Sequence, residues 1–207
     1  MIKGILFDLD GVLVSTQNLQ VSSTLNALKH YCIINNDIKS LVKQTITTRE
    51  KLQILSDGKN LKKSDIFKIY KLKKKIFNSE IIKRKMFSLK IYNLFKYLKI
   101  NNYRLALVTN GNKKTSNLIL KKLKINNFFD IIITNNSKVK PKPNPEPYAF
   151  AISKLCLKKE NCLIFEDSPV GLLSAQRSGA RYYKVNTPKK INLANVKRQI
   201  KKYSNMI

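Results

Sequence analysis

Acidic residues, histidine and cysteine are all scarce in this 207-residue chain. It has 12 aspartates and glutamates against 41 lysines and arginines, and His30 is its single histidine. This histidine stands in a helical stretch between Lys29 and Tyr31, which argues against a histidine-based catalytic triad, and a single histidine argues against a histidine-rich metal site. The three cysteines, Cys32, Cys156 and Cys162, have no metal-like spacing, and an odd count without a framework fits a reducing compartment. We expect Cys156 and Cys162 to be small core residues.

Long apolar runs and leader sequences are also missing. No apolar run approaches the ~18 residues that a membrane span needs, and neither a basic leader nor a cleavage site precedes the first apolar segment. A length of 207 residues predicts one large domain or a domain with an inserted module, with enough chain for a full core. Hydrophobic residues make up 43% of the chain, which argues against a disordered protein. We expect a cytoplasmic monomer with no membrane partner.

The formal net charge of +29 raises the question of a nucleic-acid partner. The excess is nearly all lysine, and it is spread along the chain without a polybasic tail or an arginine-rich block. That spread, together with heavy use of Asn and Ile, favours compositional drift over a specific binding site. We expect no specific nucleic acid, and only adventitious binding to RNA or heparin at low salt.

Apolar periodicity divides the chain into two kinds of sequence. From about Ser15 to about Lys85, apolar residues recur at helical spacing and no strand-like run occurs. From about Leu89 onward, helical and strand patterns alternate, which indicates a parallel sheet covered by helices on both faces. The predicted strands of this part cover residues 103–109, 130–134, 162–167 and 181–186, and the helices 91–99, 113–123, 148–157, 170–178 and 193–203.

An apolar strand near the start of the chain ends in two carboxylates, Asp8 and Asp10. The apolar residues 5–7 before them are typical of a buried parallel strand. Because side chains alternate along an extended chain, Asp8 and Asp10 are expected to point the same way. They are expected at the C-terminal edge of the sheet, where open α/β sheets place their ligands.

Polar residues also follow later strands. Thr109 ends one predicted strand and Glu166-Asp167 end another, while a proline-rich loop contains Lys140 and Lys142. Four of the 12 acids are thus expected at one sheet edge, where they repel one another unless a cation joins them. Hard oxygen ligands with room for water and phosphate favour Mg²⁺.

These motifs, taken in order, resemble those of the haloacid dehalogenase (HAD) superfamily. FDLDGVLV resembles the first signature, Thr109 the hydroxyl residue of the second, Lys142 the lysine of the third, and Glu166-Asp167 the acids of the fourth. Within the superfamily, the resemblance is to the branch of β-phosphoglucomutase-like and phosphoglycolate phosphatase-like proteins.

The resemblance implies a fold and its division into domains. It implies an α/β, Rossmann-like core with a parallel five-stranded sheet and helices on both faces, formed by residues 1–14 and 86–207. It also implies an all-helical cap at residues 15–85, which closes over the site, excludes water and chooses the substrate.

The implied activity is that of a Mg²⁺-dependent phosphatase of a small phosphorylated metabolite, such as a sugar phosphate or phosphoglycolate. Asp8 would attack the phosphorus to form a phosphoaspartate, and Asp10 would serve as general acid and then general base. The groups that would steady the phosphoryl oxygens are the Thr109 and Lys142 side chains and backbone N–H groups near Leu9 and Asn110.

The resemblance also implies the metal ligands. Mg²⁺ would be held by the Asp8 carboxylate, the Asp10 backbone carbonyl and Asp167, with support from Glu166 directly or through water.

Two assignments have competing readings. Taken alone, Thr109 also fits a simple helix cap. Lys140 and Lys142 are both followed by Pro-x-Pro. We choose Lys142 because the KPNPEPY stretch leads directly into a helix as the family pattern does, and because its distance from the acidic pair suits that family.

The cap carries the candidates for substrate choice. Arg49, in a segment that resembles a Ser/Thr-Arg element of the branch, is a candidate for the far end of a substrate, although a surface salt bridge explains it equally well. Gln20 is a second candidate, and it stands where similar mutases have a histidine. Asn112 stands where those mutases have a lysine. Both departures favour hydrolysis over a β-phosphoglucomutase-type phosphomutase, the main alternative. A nucleic-acid-binding protein on a retired phosphatase core is the less favoured alternative.

Overall fold

A parallel sheet forms the centre of the larger of two structural units. The computed structural model describes residues 1–44 and 46–205 of the chain. These divide into one unit made of Met1–Ser15 with the chain from Lys85 onward, and a second unit, Thr16–Arg84. No helix in the described ranges is long and apolar enough to span a membrane.

The sheet has five strands in the order β3-β2-β1-β4-β5, and every neighbouring pair is parallel. The strands are β1 Gly4–Phe7, β2 Arg104–Val108, β3 Ile131–Ile133, β4 Cys162–Glu166 and β5 Arg181–Lys184. The helices of the described chain are α1 Gln17–Leu28, α2 Asn36–Lys43, α3 Thr48–Asp57, α4 Ile66–Lys83, α5 Leu89–Ile100, α6 Lys113–Leu123, α7 Glu146–Lys154, α8 Pro169–Arg177 and α9 Leu193–Ser204. The predicted α/β fold class with a parallel sheet is confirmed.

Helices cover both faces of the sheet. Neighbouring residues of one strand point to opposite sides, so consecutive residues of β1 pack on helices of opposite faces. Leu6 of β1 belongs to a buried cluster that includes Ala151 of α7 and Ala175 of α8. The next residue, Phe7, packs on Phe95 of α5 with ring centroids 5.3 Å apart. A strand buried on both faces has to be apolar throughout, which explains the unbroken apolar run of β1.

The register of the strands brings the polar residues to one edge. Phe7, the last residue of β1, is paired with Leu107 of β2 and Phe165 of β4. The residues that follow these positions therefore emerge side by side at the C-terminal edge of the sheet. This alignment positions the candidate site.

The unit Thr16–Arg84 is helical and has its own core. Its buried apolar side chains include Leu28, Leu52 and Ile69. Helix α3 begins with a capping box in which Thr47 and Glu50 exchange side-chain and backbone hydrogen bonds.

The prediction for one of the cysteines was wrong. Cys162 is fully buried in β4, as expected, but Cys156 is exposed. Cys156 follows the C-cap of α7 with a φ of +56°, in the left-handed conformation that ends many helices. The chain turns there, and the apolar neighbours in the sequence therefore do not surround the thiol.

Candidate active site

Lys142 lies at the centre of a buried polar cluster. Its ammonium nitrogen, Nζ, is 2.7 Å from Asp8 Oδ1 and 2.5 Å from Glu166 Oε1. It also donates to the Val108 carbonyl at 2.8 Å and to the Tyr148 hydroxyl at 2.9 Å. Burial by itself would lower the pKa of Lys142, but Asp8 and Glu166 outweigh that effect and raise it. Three strand ends and the proline-rich loop therefore meet at one ammonium group.

The loop that carries Lys142 is held by Asn110. The Asn110 side chain donates to the Lys142 carbonyl and accepts from the Lys142 backbone N–H, both at 3.1 Å. Lys140, the competing lysine, is exposed, and its backbone N–H donates to Glu146 Oε2. The structure thus brings Lys142 to the predicted site and leaves the Lys140 side chain at the surface.

Asp8 continues directly from β1 and is fixed through its backbone. Its N–H donates to the Phe165 carbonyl at 3.0 Å, and the residue is only 8% exposed. Burial raises the pKa of Asp8 to about 8; Lys142 acts to lower it, while Glu166 and Asp167 act to raise it. Positive charge beside this carboxylate is therefore what favours its ionised form.

Glu166, the last residue of β4, is fully buried, and both of its carboxylate oxygens accept hydrogen bonds. Oε1 accepts from Lys142 and Tyr148, and Oε2 accepts from the backbone N–H groups of the next two residues at 2.8 and 3.1 Å. A Cβ atom on Gly171 would lie 1.8 Å from Oε1, so only glycine fits there. Glu166 is thus committed to Lys142, and a direct metal bond would compete with these donors.

Asp167 has a buried carboxylate oxygen, Oδ1, without a hydrogen-bond partner among the described residues. The carboxylate lies against Gly11, where a Cβ atom would come within 1.9 Å of Oδ2 and where φ is +93°. Burial, followed by the charge of Glu166, raises the pKa of Asp167 to about 6. A buried carboxylate oxygen of this kind suits a hard cation.

A Mg²⁺ ion fits this edge only with ligands beyond the side chains. Within residues 1–44 and 46–205, no three histidine, cysteine or acidic side chains cluster as a ready metal site. Mg²⁺ commonly takes one or two carboxylates and completes its shell with water and substrate oxygens, which Asp8 and Asp167 allow. The four-acid set Asp8, Asp10, Glu166 and Asp167 stays a prediction, and Glu166 is the member whose oxygens are already engaged.

Thr109 lies buried at the end of β2, and its Oγ1 accepts from the Gly111 N–H at 3.0 Å. It is not the N-cap of α6. That position belongs to Asn112, whose side chain accepts from the Thr115 N–H at 3.0 Å. A hydroxyl that accepts in this way still has its own proton to donate.

Leu9 and Asp10 form the turn after β1. The Leu9 carbonyl accepts from the N–H groups of Leu13 and Val14, at 3.0 and 3.1 Å, and the Leu9 side chain is buried. Asp10 is half-buried and near enough to Asp167 to raise the pKa of that carboxyl.

The two remaining candidates lie in the Thr16–Arg84 unit. Gln20, on α1, accepts a hydrogen bond from the buried Lys73 of α4. Arg49, in the first turn of α3, is exposed, with its guanidinium carbon 5.4 Å from the centroid of the Tyr70 ring. The part of both residues in substrate binding stays a prediction.

Sequence reasoning missed Tyr148, the third residue of α7. It is fully buried, and its hydroxyl donates to Glu166 Oε1 at 3.1 Å. Burial, followed by the charges of Glu166 and Asp8, raises the pKa of Tyr148 well above its ordinary value. In the sequence this tyrosine looks like an apolar core residue, and its place on the helix that follows the Lys142 loop is the only signal of its role.

Comparison with known sequences gives the family. Residues 5–185 match the sequence model of the haloacid dehalogenase-like hydrolases. The chain belongs to the haloacid dehalogenase-like hydrolase family. Pyrophosphatase PpaX of Bacillus velezensis is 28% identical over 184 residues, which cover 87% of this chain and 81% of the relative. A phosphorylated carbohydrates phosphatase of Thermotoga maritima is 26% identical over 181 residues, with 86% and 82% covered.

A solved structure of the same fold extends over nearly the whole chain. The β-phosphoglucomutase of Clostridium difficile aligns with a TM-score of 0.77 at 21% identity, and it covers 99% of this chain and 100% of the other. The predicted family, the Rossmann-like HAD fold and the enzyme type, a HAD-family phosphatase, are confirmed.

Proposed function

We propose that this HAD-family enzyme is a Mg²⁺-dependent phosphatase of a small phosphorylated metabolite that works through a phosphoaspartate at Asp8. One observation carries the proposal. A carboxylate at the C-terminal edge of a parallel sheet lies buried with a lysine ammonium 2.7 Å from one of its oxygens. A carboxylate held in this way is protected from water, is neutralised by its partner and lies where such sheets bind ligands.

In the first step, Asp8 would attack the substrate phosphorus while Asp10 gives a proton to the leaving oxygen. The Lys142 ammonium favours the ionised form of Asp8 and steadies a phosphoryl oxygen as charge shifts in the transition state. The hydroxyl of Thr109 and backbone N–H groups near Leu9 and Asn110 supply further donors. In the second step, Asp10 would take a proton from the water that hydrolyses the phosphoaspartate.

The metal ligands in this proposal are the Asp8 carboxylate, the Asp10 backbone carbonyl and Asp167. When bound, Mg²⁺ would offset the repulsion among these acids and polarise the phosphoryl group. The unpartnered Oδ1 of Asp167 supports this assignment. Glu166 is assigned a different part, because its hydrogen bonds direct it to Lys142.

The substrate class rests on chemistry and on the relatives. The relatives are named for pyrophosphate and for phosphorylated carbohydrates, which are both small and phosphorylated. We assign Gln20 and Arg49 as the residues that contact the part of the substrate beyond the phosphate. Arg49 is suited to this because an exposed guanidinium binds carboxylates and phosphates in a bidentate manner.

The test is phosphate release from p-nitrophenyl phosphate by wild type and by Asp8→Asn, with Mg²⁺ and with EDTA. We expect Asp8→Asn to lose activity by roughly 10³-fold or more, since it removes the nucleophile. EDTA should abolish the wild-type rate and added Mg²⁺ should restore it. Asp37→Asn, at an exposed position in α2, is the matched control. Equal rates for Asp8→Asn and Asp37→Asn would refute the proposal.

A phosphomutase reaction is the alternative on the same site. The residues against it are Gln20 and Asn112, which stand where similar mutases have a histidine and a lysine. Analysis of products by ³¹P NMR with β-glucose 1-phosphate separates the two reactions. We expect inorganic phosphate as the product, and a buildup of glucose 6-phosphate would favour the mutase.

A further inference from the structure

Tyr148 closes a triangle of short hydrogen bonds inside the candidate site. Its hydroxyl oxygen is 2.9 Å from Lys142 Nζ and 3.1 Å from Glu166 Oε1, and those two atoms are 2.5 Å apart. All three residues are buried, so water does not compete for these bonds. In addition, Nζ lies 4.7 Å from the centroid of the tyrosine ring.

The Lys142 ammonium has fewer N–H donors than neighbouring oxygens, and the Tyr148 hydroxyl can make up the difference. An ammonium group has three N–H donors, whereas four oxygens lie within 2.9 Å of Nζ. The Tyr148 hydroxyl is the member of this set that can both accept and donate. It can therefore accept from Lys142 while its own proton satisfies Glu166, and this fixes the ammonium relative to the carboxylate.

We propose that Tyr148 is a positioning residue of the phosphatase. Its hydroxyl bonds both the Lys142 ammonium and Glu166, and it thereby keeps the ammonium next to Asp8. The inference rests on the proposed function for its kinetic consequence only. The hydrogen-bonded arrangement itself is testable without substrate or metal.

A packing role for Tyr148 makes the opposite prediction. The ring belongs to a buried cluster with Leu6 and Ile164, and phenylalanine would fill the same space. If packing were the whole role, loss of the hydroxyl would leave Lys142 and the reaction unchanged. The raised pKa of the phenol keeps the hydroxyl proton in place at neutral pH, so Tyr148→Phe removes a donor that is present.

The first measurement is a ¹H–¹⁵N NMR spectrum selective for lysine ammonium groups, recorded without substrate or metal. Only ammonium groups shielded from water persist in such a spectrum, and Lys142 and Lys73 are the buried lysines among the described residues. Lys142→Arg identifies which signal belongs to Lys142. We expect Tyr148→Phe to shift or broaden that signal and to leave the Lys73 signal in place, so Lys73 is an internal control.

The second measurement is steady-state kinetics of the Mg²⁺-loaded enzyme. Because the bond to Lys142 matters most in the transition state, we expect Tyr148→Phe to lower kcat by about tenfold with KM changed by less than about threefold. The matched control is Tyr203→Phe, which removes a hydroxyl that donates to the Tyr182 carbonyl at 2.9 Å. Replacement of Tyr148 by 3-fluorotyrosine keeps ring and hydroxyl, and its kcat should stay within about threefold of wild type.

The outcomes separate this inference from the proposed function. An unchanged Lys142 signal in Tyr148→Phe would overturn the inference whatever the activity. It would also be overturned if Tyr148→Phe had the kcat of Tyr203→Phe, or if 3-fluorotyrosine cost as much activity as phenylalanine. Wild-type protein without Mg²⁺-dependent phosphatase activity would instead overturn the proposed function, while the NMR comparison still decides the arrangement around Lys142. If Tyr148→Phe does not fold, the 3-fluorotyrosine variant, which keeps the hydroxyl, still tests the inference: loss of the Lys142 signal or of kcat in that variant overturns it.

Discussion

At the scale of single residues, burial separates two lysines that look alike in the sequence. Lys140 and Lys142 are both followed by Pro-x-Pro, yet only the Lys142 side chain enters the sheet edge. A buried ammonium needs compensating charge, and Asp8 and Glu166 provide it. The two lysines therefore form a natural pair for mutation.

We predict that Lys142→Met lowers kcat by roughly 10²-fold or more, because it removes a charge that the transition state needs. Lys140→Met should stay within about twofold of wild type, since its side chain is exposed. Phosphate release from p-nitrophenyl phosphate measures both. A larger loss for Lys140→Met than for Lys142→Met would show that the wrong lysine has been assigned.

The residues of the site were predictable to the extent that they end strands. Asp8, Asp10, Thr109 and the Glu166-Asp167 pair each follow an apolar run, and this pattern together with the family resemblance marked them. Tyr148 was not predictable, because its role depends on the hydroxyl reaching a lysine and a glutamate from other segments. The engagement of both Glu166 oxygens likewise emerges only from the packed structure.

At the scale of elements, alternation of strand and helix patterns was sufficient for the core. The predicted helix at 113–123 coincides with α6, whereas the predicted strands run one to two residues past the observed ends of β4 and β5. Those extra residues are where the chain leaves the sheet to form loops. The hydrophobic pattern does not show at which residue a strand ends, because the backbone stays extended after the hydrogen bonds to the neighbouring strand stop.

One acid outside the site links three elements. Asp130, just before β3, accepts from the Leu105 N–H of β2 at 2.8 Å and from Lys99 of α5 at 3.1 Å. Arg104 adds a longer ion pair at 3.7 Å. Burial acts to raise the pKa of Asp130, but the Leu105 N–H, Lys99 and Arg104 outweigh it, so the pKa lies below its ordinary value.

We predict that Asp130→Asn lowers the free energy of unfolding by about 1 kcal/mol at pH 7, with the partly exposed Lys99 bond contributing little. Because the folded-state pKa is lowered, this stabilisation is present above the ordinary aspartate pKa and is lost as pH falls through the folded value. Urea unfolding of both proteins from pH 7 down to acid pH measures it. A difference that stays constant over that range would contradict the electrostatic explanation.

At the scale of the whole molecule, positive and negative residues are distributed differently along the chain. Lysines lie along the whole sequence, whereas Asp8, Asp10, Glu166 and Asp167, a third of the 12 acids, lie at or beside the ends of β1 and β4. The basic excess is thus a property of the surface as a whole, and the acids of the site have a separate chemical purpose.

We predict that binding to a generic RNA is measurable at low salt and lost by about 200 mM salt, since such binding comes from counterion release. Fluorescence anisotropy with a labelled RNA of arbitrary sequence measures this binding. Binding to heparin, another polyanion, is measured in the same buffers for comparison. Binding that persists above that salt concentration with a sequence preference would indicate a true nucleic-acid site. Phosphatase activity should be unaffected by RNA in the high-salt buffer.

The strand that precedes Asp8 is synthesised long before the strands that it pairs with. β1 lies in the middle of the sheet, but its neighbours β2 and β4 begin about 100 and about 160 residues later in the chain. At a synthesis rate of roughly 5–20 residues per second, β1 waits on the order of ten seconds for its second neighbour. During that interval the edge of β1 that pairs with β4 has no partner strand, and the apolar side chains of β1 are suited to binding by a chaperone. A chain terminated before β4 would contain Asp8, the proposed nucleophile, but would lack that strand and the acids at its end.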